Sequence, residues 1–241
     1  MRNDRWARYG AAAGLGAVVA FLIGSVLTGV GRPDFAAGGS EWAGFLQQHR
    51  TRIQIGCVFL GAAGPLLIWF LATVGSLARA ASAPRAGRAA AVAYGCGLVF
   101  LALFLVDVTT LVVGALRPKN MTAVPELAAA LQDLELLLMG VAAPLASGVL
   151  VAFAVLALRD KVIWPEWMGW LAAIAAPIYA LRIGTLFTIN GPFAADGVLG
   201  IWLPVAAFAG WLSLASLILA LKVRQGMNGM GALDTAATRA S

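Results

Sequence analysis

The chain predicts an all-α, polytopic membrane protein, a six-transmembrane-helix bundle with N and C termini cytoplasmic. Hydrophobic residues fill 61% of 241 positions against 12% charged, and mean hydropathy is +0.87, more apolar surface than a water-soluble fold can hide. The apolar positions gather into six runs, each near the roughly 20 residues that cross about 30 Å of hydrocarbon. Those runs are continuous instead of alternating. That excludes a transmembrane barrel, whose strands face lipid and lumen by turns.

The first run, 11–30, follows Arg2, Arg5 and Arg8 and so imitates a secretory signal. Its length exceeds the usual signal core of roughly 7 to 15 residues, and no small-x-small cleavage site precedes the polar loop, so it is expected to stay as an uncleaved span. The loop 31–52 contains EWAGFLQQHR, which predicts an interfacial helix. The second and third runs, 53–74 and 89–114, are joined by the basic linker ARAASAPRAGR. In the loop 116–135, Pro125 is placed to begin a helix that continues into the fourth run, 136–158. WPEWMGW, 164–170, opens the fifth run, 167–188, with Pro165 at a helix start and three Trp rings expected as interfacial anchors. Trp6 is read the same way, and Trp42 and Trp202 as anchors at the opposite face. The sixth run, 198–221, closes a single domain over 1–224, and the small, Gly-rich stretch 225–241 predicts a disordered cytoplasmic tail.

Basic residues set the orientation. Eleven of the 17 Lys and Arg fall on the side of the termini, five on the other side, and Arg182 lies within a span. The positive-inside bias therefore places both termini in the cytoplasm. The same bias, with anionic headgroups as partners, accounts for a pI near 10.0 without invoking nucleic acid.

One carboxylate interrupts the third run. Asp107 in LFLVDVTTLVV lies about 8 Å beyond the centre of its span, and Arg182 about 6 Å beyond the centre of the fifth, both toward the outer face. A lone charge near mid-membrane costs roughly 3 kcal/mol, so the two are expected to neutralise each other, directly or through water, with spans three and five as neighbours. Two readings follow: a structural ion pair that fixes helix order, or the floor of an outward-facing polar pocket. The second draws on further polarity in the same leaflet: His49, Arg50, Arg52 and Gln54 at the mouth of span two, Asp133 and Glu135 before span four, and Asn190 after span five. Asp133 and Glu135, two apart on a helix, point about 200° from each other and cannot both face one site. The candidate ligand-binding set is Asp107, Arg182, His49, Arg52 and Asn190. Pro65, Pro144, Pro177 and Pro204 fall inside spans and kink them, leaving room between helices. Gly61 and Gly64, or Gly95 and Gly97, are expected to let helices approach closely.

Motif absences narrow the chemistry. A single His excludes bis-His haem and multi-His zinc, no cofactor is implied, and no metal site is assigned. Cys57 and Cys96 are placed near opposite ends of their spans, which argues against a disulfide. There is no CxxC, GxSxG, HExxH or Walker loop.

The block HRTRIQIGCVFLGAAGPLLIWFLATVGSLARA, 49–80, followed by WPEWMGWLA, resembles a group of multi-pass bacterial membrane proteins that share a domain of unknown function. The resemblance implies a compact six-helix, bundle-like fold and brings no known substrate with it. The preferred functional expectation is a non-enzymatic membrane protein that accommodates a lipid-like or small amphipathic molecule in an outward-facing polar pocket, in contact with membrane lipids. The alternatives are a small transporter using Asp107 as a proton-coupling carboxylate, a membrane-embedded enzyme with His49 as acid or base, and an accessory subunit with a partner in a membrane complex.

Overall fold

A computed structural model describes residues 2–80, 84–160, 163–188, 190–194 and 196–240, without the side chains at 2–5, 84, 160 and 224–240. Lys161 and linker positions 81–83 lie outside the described residues. So do the side chains of Arg2, Arg5, Arg224, Arg239 and of the tail 225–241.

Eight helices are described: α1 (Arg2–Gly29), α2 (Gly39–Gln48), α3 (Arg50–Ala80), α4 (Pro84–Leu116), α5 (Pro118–Ala123), α6 (Pro125–Val155), α7 (Glu166–Ala180) and α8 (Leu203–Ala240). No strand occurs among the described residues. Six of the helices, α1, α3, α4, α6, α7 and α8 with their short extensions, are long and apolar enough to cross a membrane. An even number of crossings puts both chain ends at one end of the bundle, called here the terminal end. The opposite, loop end carries α2, α5 and the segment between α7 and α8. The expected helix in EWAGFLQQHR is α2, and Pro125 starts a helix that runs unbroken into the fourth crossing.

The crossings pack in chain order around a ring: α1 on α3, α3 on α4, α4 on α6, α6 on α7, α7 on α8, and α8 back on α1. Spans three and five, expected to be neighbours, are therefore separated by α6. They meet only across the interior, where the rings of Phe100 and Tyr179 lie 6.3 Å apart edge to face. Hydrophobic periodicity reports depth along a helix but says little about helix order, which is why the depths could be read and the adjacency could not.

The terminal half is held by a block of large rings. Phe153 of α6 stacks on Trp211 of α8 at 4.7 Å and meets Trp164 edge to face at 5.3 Å. Trp164 is fully buried and its indole N–H donates to Ala215 O (3.0 Å), while the Trp211 N–H donates to Met168 O (3.1 Å). The expectation for WPEWMGW thus divides: Trp167 and Trp170 are 50% and 59% exposed, as anchors require, but Trp164 is core. Trp42 also departs from its anchor reading, being buried at the loop end.

Close helix approach occurs at positions other than those expected. A Cβ meets nothing within 4 Å at Gly61 or Gly95 and only loose contact at Gly64, although at Gly97 it would press on Leu71. The tight crossing is α1 on α3, where a Cβ on Gly24 would lie 2.8 Å from Gly56 O and 2.6 Å from Leu60 Cγ. Gly24→Ala is expected to destabilise by about 2 kcal/mol through overpacking against backbone, whereas Gly61→Ala should be neutral or slightly stabilising. Thermal melting of the two purified variants checks this; equal melting temperatures would remove the α1–α3 contact from the account.

The prolines act unequally. Pro65 and Pro144 sit inside continuous helices. Beyond Pro177, α7 stops at Ala180 and tightens into a 3-10 turn over Leu181–Leu186, and Pro204 follows a π turn over Val198–Trp202. Ser147 of α6 donates to Ala176 O (2.8 Å), tying α6 to α7 beside Pro177. The turn after Pro177 carries Arg182. Both cysteines are free, in accord with the expected lack of a disulfide.

Candidate functional site: a charged cluster above an aromatic chamber

The loop end is assembled from the turn after α1. Gly31 has φ +72°, a left-handed conformation that favours glycine, and it turns the chain so that Arg32 reaches α6. The Arg32 guanidinium donates from Nη1 to Glu135 Oε1 (2.9 Å) and from Nη2 to Oε2 (2.5 Å), a bidentate pair in which the side chains are 29% and 14% exposed. Trp42 of α2 supports the guanidinium from one face, with Cζ 4.9 Å from the ring centroid. Burial works against the Arg32 charge, but Glu135 outweighs it, with Asp107 and Asp196 behind, and raises the pKa above its ordinary value. Gln132 Nε2 donates to Phe35 O (3.3 Å), and Phe35 N–H donates to Asp196 Oδ2 (3.2 Å). The segment 31–38 is therefore strapped to both α6 and the connection between α7 and α8.

Asp107 is only 6% exposed on α4. Glu135, Arg182 and Arg32 all lie close enough to act on it electrostatically. None of them hydrogen-bonds it. Its Oδ1 is buried with no hydrogen-bond partner, and Arg182 Nε is in the same condition. Arg182 instead lies within hydrogen-bonding reach of the Tyr179 hydroxyl one turn earlier. The expected Asp107 and Arg182 pair thus shares a neighbourhood without forming an ion pair. α6 stands between their helices around the ring, and Arg32 and Glu135, both at the same end, already neutralise each other.

Toward the middle of the bundle lies a chamber of about 70 Å³ between α1, α3, α4, α7 and α8. Its wall is aromatic: Tyr179 to Phe208 is 5.4 Å, Phe100 to Phe208 is 6.3 Å, and Phe21 to Phe104 is 6.1 Å. Asp107 is three residues after Phe104 and seven after Phe100, and Arg182 is three after Tyr179, so each charge shares a helix face with chamber residues. The two charges stand one turn above the rings, on the side of the loops. A larger open groove of about 400 Å³ runs between α6 and α7 from Ser147 to Arg159. It has no buried unpartnered polar atom, because the Ser147 hydroxyl is already used on Ala176 O.

The other candidate residues make their contacts elsewhere. His49 ends α2 with its ring edge to face against Phe45, centroids 5.1 Å apart, and Arg52 stands over the same ring at 5.9 Å while donating to Val30 O. Neither is among the charges acting on Asp107. Both serve the turn at Gly31, and His49 Nε2 lies 3.9 Å from where a Gly31 Cβ would stand. Asn190 is exposed and closes a local turn with the Thr188 hydroxyl. Of the two acidic residues before span four, Glu135 faces inward and Asp133 is exposed, as their spacing required. Arg32, Trp42 and Tyr179 belong to this end of the bundle beyond the candidate residues that the sequence yields. Arg32 had one readable signal, as a basic residue on the face that the orientation rule depletes. No group of His, Cys, Asp or Glu able to hold a metal occurs among the described residues.

Comparison with protein families, characterised proteins and solved structures finds no match to this chain.

Proposed function

We propose that this multi-pass membrane protein is a non-enzymatic binding protein for a small amphipathic molecule, held where Asp107 and Arg182 overlook the aromatic chamber. One observation carries the reading: a buried carboxylate and a nearby guanidinium each keep an unpartnered polar atom, although each has the other within electrostatic reach. An unsatisfied buried charge costs several kcal/mol and persists in a fold where something outside the fold repays it. A ligand headgroup, with water in its absence, meets that condition.

Size supports one of the two kinds of ligand expected over the other. The chamber's 70 Å³ is far below the roughly 300 to 1,000 Å³ of drug-sized pockets. It takes a few carbons, which favours a small amphipath over a lipid tail. Membrane acyl chains have the open α6–α7 groove instead. The charge bias of the termini supports a site toward the outer side, with a bacterial cytoplasmic membrane as the proposed location. The resemblance to proteins with a domain of unknown function brings no activity to set against this.

Mass spectrometry of small molecules released from gently extracted protein is the direct test. An amine-bearing molecule should be retained by the wild type and lost from Asp107→Asn, and an acid-bearing one lost from Arg182→Gln, at unchanged yield of folded protein. Equal retention of the amine by wild type and Asp107→Asn would remove Asp107 from the site. Proton flux in reconstituted vesicles that disappears in Asp107→Asn would favour the transporter instead.

A further inference from the structure

We infer that the ligand is a small zwitterion, carrying an ammonium and an acid group close together on a short apolar chain. This rests on the chamber reading and adds the ligand's charge pattern to it. Asp107 has three charges acting on it, Glu135, Arg182 and Arg32, and two of these are already bonded to each other. Arg32 and Glu135 use both guanidinium Nη atoms and both carboxylate oxygens on each other. What remains is one anion and one cation, Asp107 and Arg182, not in ion-pair contact and each with an unpartnered polar atom. A carboxylate with no donor wants a cation that brings its own hydrogens, and an ammonium brings three. A guanidinium fork wants a planar or tetrahedral oxyanion. A cation alone would satisfy Asp107 and leave Arg182 facing added positive charge, while an anion alone would crowd Asp107. A ligand with both charges leaves the local charge balance unchanged, and its short chain points toward Phe100, Tyr179 and Phe208.

Three probes of matched chain separate the possibilities: norvaline with both charges, butylamine with the ammonium only, and pentanoate with the acid only. Calorimetric titration of the full chain in nanodiscs is expected to show norvaline binding at least about tenfold more tightly than either of the others. Asp107→Asn should erase the preference for norvaline over pentanoate, and Arg182→Gln the preference for norvaline over butylamine. If either single-charge probe binds the wild type as tightly as norvaline, the zwitterion falls and the chamber stands as an amphipath site. If none of the three binds, the zwitterion and the chamber fall together. Should Asp107→Asn fail to fold, the Arg182→Gln comparison decides alone.

Discussion

Asp107→Asn raises the melting temperature of the ligand-free protein by several degrees while lowering ligand affinity at least about tenfold. The two halves have one cause. In the unliganded protein the carboxylate has the attraction of Arg182 and Arg32, the repulsion of Glu135, and no hydrogen-bond donor. Neutralising it removes the cost of holding a charge near mid-membrane, roughly 3 kcal/mol, and gives up a Coulomb attraction across a gap too long for a salt bridge. Arg182 is half-buried, so it can extend its head toward the loop end when Asp107 no longer balances it. The net is a gain of about 1 to 2 kcal/mol, worth roughly 2 to 4 °C per kcal/mol for a chain of this size. Binding falls because the amide cannot replace the anion. This is the usual exchange of stability for function at a site whose groups await a ligand. A lower melting temperature in Asp107→Asn would mean that attraction to Arg182 dominates, and the charges would then be structural.

What could be read from the sequence divides along physical lines. The six crossings, the helix in EWAGFLQQHR and the helix start at Pro125 all follow from apolar length and local helix chemistry, which a linear chain displays. The shared depth of Asp107 and Arg182 follows from the rise per residue. Their failure to touch does not, because facing is set by which helix packs on which, and α6 intervenes. Trp164 shows the same limit: an aromatic near a span end reads as an anchor until the fold supplies Phe153 and Trp211 to bury it. The Arg32 and Glu135 pair joins residues 103 apart in the chain, and only the turn at Gly31 brings the guanidinium to α6. Helix spacing alone could say that Asp133 and Glu135 do not share one site, and the structure turns Glu135 inward.

Glu135→Ala is expected to destabilise the protein by about 3 kcal/mol and to loosen the segment 31–38. The pair is bidentate and mostly buried, and removing one member of such a pair leaves the other desolvated, at a cost of roughly 3 to 5 kcal/mol. Arg32 retains 29% exposure and the Trp42 ring, so the lower end of that range applies. Losing the tie leaves, as hydrogen bonds across the loop among the described residues, Gln132 to Phe35 and Phe35 to Asp196, two neutral-donor bonds each worth about 1 kcal/mol or slightly more. Amide exchange over 31–48 should then accelerate relative to the crossings, and ligand should dissociate faster, because the strapped segment lies over the charged end of the chamber. Asp133→Ala is the control: it removes the same charge two residues away from an exposed position and should shift stability by no more than about 0.5 kcal/mol. If the two variants melt alike and exchange alike, the Arg32–Glu135 tie does not hold the loop. The charges at Asp107 and Arg182 would then be open to water, and the case for a ligand to satisfy them would go with the strap.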